Sequence, residues 1–251
     1  MPRAIKQELV DLIDEKLKNN GSAQLAIKNG DPRNLMIYAA EACVGQTEIG
    51  GNNKGKFVEL CQKTTDNYAG GEAWCMSFVQ SMVAYAEFKT GVKSTLAVSE
   101  HCLTTWSKAS AADRVKKIPA PGAIIIWQHG KTQNGHTGFM MEFGSKTMET
   151  VEGNTGASFR DGDGVYQKNR SISKDGDMKV VGFIIPFAIK EVKAEPVPPP
   201  TVITLPPDVT IDTSKLTTGK DPDEGTGPWY RRMWDACKID AGKEAQVRST
   251  M

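Results

Sequence analysis

Gly70-Gly71-Glu72-Ala73-Trp74-Cys75-Met76-Ser77-Phe78-Val79 is the stretch whose reading sets the fold. Two glycines interrupt any regular element just before it. From Cys75 onward, apolar residues recur at helical spacing through Phe78, Val79, Met82, Val83, Tyr85 and Ala86. The spacing predicts a helix over Cys75–Thr90 with a thiol at or near its first turn. The unpaired N–H groups and the dipole at a helix N-terminus stabilise a thiolate over a thiol, so this cysteine is a candidate nucleophile.

Working outward, apolar recurrence at three- and four-residue spacing predicts further helices over Ile5–Asn19, Asn34–Val44, Gly55–Thr64 and Val98–Lys108. Asp31-Pro32 is a start signal for the second of these, because proline is tolerated in a first turn. Glu48-Ile49-Gly50-Gly51-Asn52-Asn53-Lys54-Gly55 is too glycine-rich for a regular element. After Pro119 the pattern changes. Ala123–Trp127, His136–Phe143, Thr147–Glu152, Val165–Asn169 and Val180–Phe187 are short, apolar or β-branched, and separated by turn residues. They read as strands of one antiparallel sheet, and the fold class is α+β. Asp161-Gly162-Asp163-Gly164 reads as a solvated turn, since it lacks the spacing and the later glutamate of an EF-hand loop.

The chain has 251 residues, 39% hydrophobic and 24% charged, enough for one full-sized domain and a smaller appendage. A formal net charge of +1 gives no basic field for nucleic acid or an anionic membrane. No apolar run approaches the roughly 18 residues that span a bilayer. The amphipathic start, Met1 to Leu17, lacks the continuous apolar core of a secretory signal. The expected location is the cytoplasm, with any action outside the cell following release or delivery. The expected partners include neither nucleic acid nor an inserted membrane, and the chain is expected to act as a monomer. Six prolines between Pro196 and Pro207 predict an extended linker. The polar remainder, Asp208 to Met251, is too poor in apolar residues for an independent domain, with one helix expected around Pro228–Ile239. Docking element and disordered tail stay equally open for it.

Of the five cysteines, Cys43, Cys61 and Cys102 lie in helix-like segments and read as small buried hydrophobes, while Cys237 in the tail is ambiguous. No Cys-x-x-Cys occurs, and no spacing suggests a zinc site or disulfide framework. His136 lies in Asn134-Gly135-His136-Thr137-Gly138-Phe139-Met140-Met141, at the start of a strand. Val151-Glu152-Gly153-Asn154-Thr155 follows, with a carboxylate and an amide two residues apart and so on one face of a regular strand. Nucleophile, base and orienter are present in that order. His101 and His129 suit surface or capping roles. Trp127 reads as core or groove wall. Trp74 either packs beneath the thiol or lines the cleft.

Helices carrying a cysteine, followed by an antiparallel sheet carrying a histidine and a polar orienter, resemble papain-like cysteine hydrolases. The motifs Trp74-Cys75-Met76-Ser77-Phe78-Val79, Pro121-Gly122-Ala123-Ile124-Ile125-Ile126-Trp127, Gly135-His136-Thr137-Gly138 and Val151-Glu152-Gly153-Asn154-Thr155 together resemble the CHAP family (cysteine, histidine-dependent amidohydrolase/peptidase). So does the Glu48–Gly55 loop. The resemblance covers roughly residues 31–190. It implies a catalytic domain there, with a helical extension over 1–30, a Pro-rich linker over 191–207 and a short, partly disordered tail over 208–251.

The resemblance further implies bacterial peptidoglycan as substrate, cut at the amide joining glycan to peptide or within the stem or cross-bridge peptide. It implies Cys75 as nucleophile, His136 as general base, Glu152 as the orienter of that histidine, and Asn154 as an assisting residue or part of the oxyanion hole, with the Cys75 N–H as another donor. No cofactor or metal is expected, since only Asp66 and Asn67 lie where some members bind calcium. The chain departs from the family in two places. No Gln stands shortly before Cys75, which removes the family's usual second oxyanion donor, and Ala123 stands where Pro-Gly-Asp is frequent. A phage lysin fits a chain without a signal but with a linker and tail. A small-molecule amidase of the same fold and a non-catalytic binding module are the alternatives.

Overall fold

The helix expected at Cys75 runs over Cys75–Thr90 in the computed structural model, which describes residues 3–116, 119–156 and 162–188. It is the fifth of the helices, after α1 (Gln7–Leu17), α2 (Gly21–Lys28), α3 (Pro32–Ala42) and α4 (Lys56–Asp66), and precedes α6 (Cys102–Lys108). This α5 is buried on nearly all sides except its last turn. It packs against α3 and α4 on one side and the sheet on the other. A helix apolar all round belongs in the centre of a fold. Two of its polar side chains are bonded within the core: Ser81 Oγ donates to the Ser77 carbonyl at 2.8 Å and bonds Thr64 Oγ1 at 2.9 Å, and Gln80 Nε2 donates to the Ala97 carbonyl at 2.8 Å. Gly91, at φ 72°, ends it in the left-handed conformation that suits glycine.

α2 was not expected from periodicity. Its eight residues contain few large apolar side chains, and its start is set by the cap, where Asn20 Oδ1 accepts from the Ala23 N–H at 3.0 Å. α6 is shorter than expected. Residues 98–101 stay non-helical, and the Ser99 hydroxyl accepts from the His101 N–H at 3.1 Å. Serine offers the backbone this alternative to the helix.

The strands are β1 (Arg114–Val115), β2 (Ile124–His129), β3 (Gly135–Phe143), β4 (Thr147–Thr155), β5 (Gly164–Ser171), β6 (Lys174–Asp175) and β7 (Met178–Ile184). They form one antiparallel sheet in the order β1-β7-β2-β3-β4-β5, with β6 paired to β7. The two-residue strands β1 and β6 are too short to leave a periodic signal. The fold is therefore α+β. β2 shows how the sheet is divided. Ile124 and Ile126 join the helical core, together with Phe139 and Val151 of the neighbouring strands. Ile125 and Trp127 face the other side, with Met140, Met148, Met178 and Phe183. That is period-two alternation in a strand buried on both faces. Leu9, Val10, Ile13 and Leu17 of α1 belong to the same core cluster as α5.

No helix among the described residues is long and apolar enough to cross a membrane. Residues 189–251 lie outside the described part, and with them the expected linker, tail, tail helix and Cys237.

Where α5 meets β4 the packing leaves no slack. A Cβ on Gly153 would lie 2.6 Å from Phe78 Cβ and 2.7 Å from its Cγ. Phe78 cannot retreat, because it is fully buried and wedged among Phe57, Trp74 and Phe139 at ring separations of 6.2–6.4 Å. Gly153→Ala is expected to destabilise the protein by about 1–3 kcal/mol through overpacking. For a chain of this size each kcal/mol lowers Tm by about 2–4 °C, which a thermal melt reads directly. An unchanged Tm would mean that α5 can shift away from the sheet.

Candidate active site

The glycines before α5 and the fixed Trp74 place Cys75 at the helix's first position. Trp74 is fully buried, edge-on to Phe57 and Phe78, and its indole Nε1–H donates to Glu48 Oε1 at 2.9 Å. Of the two positions open to it, packing beneath Cys75 is the one observed. The bond to Glu48 ties the glycine-rich 48–55 loop to the start of α5. Asn53 Nδ2, donating to the Gly71 carbonyl at 3.1 Å, adds a second tie.

β3 brings His136 to Cys75 from the sheet side. Its Nε2 lies 2.9 Å from Glu152 Oε2, which leaves Nδ1 to interact with the Cys75 thiol across the shared cleft. The indole of Trp127, opposite His136 in the β2–β3 register, stacks on the imidazole with centroids 5.6 Å apart and planes 23° from parallel. Trp127 is fully buried, so of core and groove wall it is core. Gly138 keeps the next position on that face clear, because a Cβ there would stand 2.6 Å from Glu152 Cγ.

Glu152 is wholly buried and held from three sides. Besides His136, it accepts from Thr150 Oγ1 at 2.5 Å and from Arg170 of β5 through two nitrogens, Nε to Oε1 at 2.9 Å and Nη2 to Oε2 at 2.6 Å. This two-pronged geometry is the strong form of a carboxylate–guanidinium pair. Arg170 also reaches Asp175 at 3.2 Å and lies over the Trp127 ring. Arg170 and Thr150 were not found from the sequence. Neither belongs to a local motif, and a basic residue in a polar strand reads as solvated.

Asn154 reaches the cleft by a route that strand alternation does not describe. The β4–β5 register shifts between Glu152 and Thr155, and Asn154 takes φ 51°. Its amide oxygen accepts from the Trp74 N–H at 3.1 Å, and its nitrogen donates to the Gly162 carbonyl at 3.3 Å. The side chain thereby braces Trp74, the residue that precedes Cys75.

Cys75, His136 and Asn154 line one cleft of about 480 Å³, open to solvent, with Asn52, Asn53 and Ala73 from the loops before α5. His129 and Asp177 stand on the same wall, Nδ1 to Oδ1 at 3.3 Å. His101 occupies the N-cap position of α6.

The electrostatics favour separated charge. The Cys102 thiol, at 3.7 Å, is the largest influence on Cys75. Burial opposes ionisation, but the bonds from Cys102, His136 and the Met76 N–H override it and hold the Cys75 thiol well below its ordinary range. Burial also works against the His136 imidazolium, yet bonds to Cys75 and Glu152 and their charges raise His136 to about 9. Arg170 and His136 hold Glu152 well below the usual carboxylate range despite its burial. These shifts favour a thiolate–imidazolium pair backed by a carboxylate and a guanidinium. Such a pair can attack a carbonyl carbon and protonate a leaving amine. Burial pushes Cys43 up to about 12, and burial together with the nearby Cys43 pushes Cys61 higher still. Among the described residues no cluster of three or more His, Cys, Asp or Glu could hold a metal ion.

Residues 67–154 match the family model described as CHAP domain. No curated protein matches the chain. The matched span runs from the end of α4 to the bulge of β4 and contains Cys75, His136, Glu152 and Asn154. Over these residues the chain is similar to the CHAP domain, a domain of amidase- and peptidase-type hydrolases.

Proposed function

We propose that the protein is a peptidoglycan hydrolase that cleaves an amide bond, at the glycan–peptide junction or within the peptide, with Cys75 as nucleophile. The carrying observation is the Cys75 thiol at the first position of α5, sharing one cleft with His136, whose Nε2 is held 2.9 Å from a buried carboxylate. In this mechanism the thiolate attacks the carbonyl carbon, and the free N–H groups of the first turn of α5 receive the developing oxyanion. His136 then passes its proton to the leaving amine. A water deprotonated by His136 hydrolyses the thioester. Glu152 keeps the imidazole in the tautomer and orientation both steps need, and Arg170 keeps Glu152 charged and in place. An open cleft admits a segment of a polymer, which supports a cell-wall substrate over a small amide. The layout is papain-like, and a lysin delivered to the wall by a phage fits it. Such an enzyme needs no second subunit.

The test is mass spectrometry of soluble fragments released from purified sacculi of several chemotypes across a pH series. Discrete fragments are expected, and their new termini separate amidase from endopeptidase. Release should be flat through neutral pH and fall with an apparent pKa of about 9, as His136 loses the proton that the leaving amine requires. No release from any sacculus would overturn the wall assignment. An alkaline limb near the ordinary histidine value, about 6.5, would overturn the ion pair.

A further inference from the structure

Cys102 is a buried thiol for which the proposed mechanism has no covalent use, and it touches the nucleophile. Its Sγ lies 3.7 Å from Cys75 Sγ, and both side chains are nearly inaccessible, at 5% and 7% exposure. Each is the first residue of its helix, Cys75 of α5 and Cys102 of α6. Cys75 lines the cleft and Cys102 does not. On its other side Cys102 abuts Gly135, where a Cβ would come within 2.9 Å of the Cys102 Cβ. The missing side chain leaves Cys102 its place against the start of β3.

We infer that Cys102 is the resolving thiol of a reversible disulfide with Cys75, formed when a hydroperoxide enters the cleft, and that this bond arrests the nucleophile and protects it from irreversible oxidation. The chemistry closes on groups already present. The Cys75 thiolate attacks one peroxide oxygen. The O–O bond breaks, and the leaving hydroxide takes the His136 proton as water (as alcohol, for an alkyl hydroperoxide). The product is a sulfenic acid at Cys75. The Cys102 sulfur then attacks the Cys75 sulfur. The S–S bond forms, the S–O bond breaks, and the second hydroxide leaves as water with the Cys102 proton. Two thiols are oxidised and one peroxide is reduced. A disulfide needs an S–S distance of about 2.05 Å, so the sulfurs must close by about 1.7 Å from their observed 3.7 Å. Side-chain rotation and small shifts of two helix starts supply this. Without a resolving thiol a sulfenic acid proceeds to sulfinic and sulfonic acids. Cys43 and Cys61 compete poorly, being buried with thiols held protonated.

The inactivation rests on the proposed role of Cys75, but the bond itself is read by mass without any activity. The full chain is treated with hydrogen peroxide near equivalence, alkylated without reductant and mapped by mass spectrometry. The expected result is a loss of about 2 Da located as a cross-link between the Cys75 and Cys102 peptides and reversed by dithiothreitol. Sacculus release should fall at least about tenfold and return with the reductant. In Cys102→Ala a several-fold excess of peroxide should carry Cys75 past the sulfenic acid and add about 32 Da, two oxygens from two peroxides, which dithiothreitol does not remove. Wild type that gains oxygen at Cys75 while Cys102 stays alkylatable overturns the inference. So does a Cys75 left reduced, or one paired with a different cysteine. If Cys102→Ala does not fold, the wild-type map still decides. A cross-link without any sacculus hydrolysis would refute the proposed function and leave the modification site standing.

Discussion

Cys75→Ala is expected to lower fragment release from sacculi by about 10⁴-fold or more, because a nucleophile and its base act as one unit. That loss corresponds to about 5 kcal/mol of transition-state stabilisation. Its size follows from the surroundings of the sulfur, where the first turn of α5, His136 and Cys102 all favour the thiolate. Alanine offers the cleft no attacking atom, and water must take its place without the pre-formed charge. The variant should fold normally, since the substitution removes one atom from a position at the cleft surface. Cys75→Ala/His136→Ala should be no slower than Cys75→Ala alone, as the histidine has no independent task once the thiol is gone. The readouts are fragment release and Tm on the same preparations. Release by Cys75→Ala within tenfold of wild type would make the cysteine structural and refute the mechanism.

Arg170→Met should cost about 3–5 kcal/mol of stability and most of the activity. Glu152 is fully buried and Arg170 supplies two of its hydrogen bonds, so removing the guanidinium strands a carboxylate in a low-dielectric interior. Glu152 then takes up a proton more readily, because the Arg170 hydrogen bonds do most to hold its carboxyl down against burial. The acid limb of the pH–rate profile should move upward, which a merely structural defect would not produce. Arg170→Lys keeps the charge without the fork and should fall between wild type and Met. Glu152→Gln/Arg170→Met should melt higher than Arg170→Met alone, since the unpaired charge is gone, even though His136 loses its carboxylate orienter. Tm and pH profiles of the four proteins form the test. An Arg170→Met variant with wild-type Tm and profile would show that His136 and Thr150 suffice to hold the carboxylate.

What the sequence by itself determined here is local or ordered along the chain. The helix over Cys75–Thr90 was legible at both ends, because two glycines precede it, another follows it, and its apolar residues keep a helical period. The long strands were legible to within a few residues, as each carries its own run of apolar or β-branched side chains. The order cysteine, histidine, glutamate and the motifs around them were enough to recognise the domain type that the family match bears out.

The tertiary structure alone decided what touches what across layers. Cys102 read as an ordinary core cysteine and is one, but packing α6 against the sheet sets its sulfur 3.7 Å from that of Cys75, 27 residues earlier. Arg170 read as a solvated strand residue, yet it closes on Glu152 across 18 residues of chain. Asn154 was expected on the face of Glu152 by alternation and instead reaches the cleft through a bulge and a left-handed φ. Periodicity reports only which face of its own element a residue occupies. Contacts between elements depend on register, bulges and layer packing, which are settled when the whole core forms and which no window of neighbouring residues encodes.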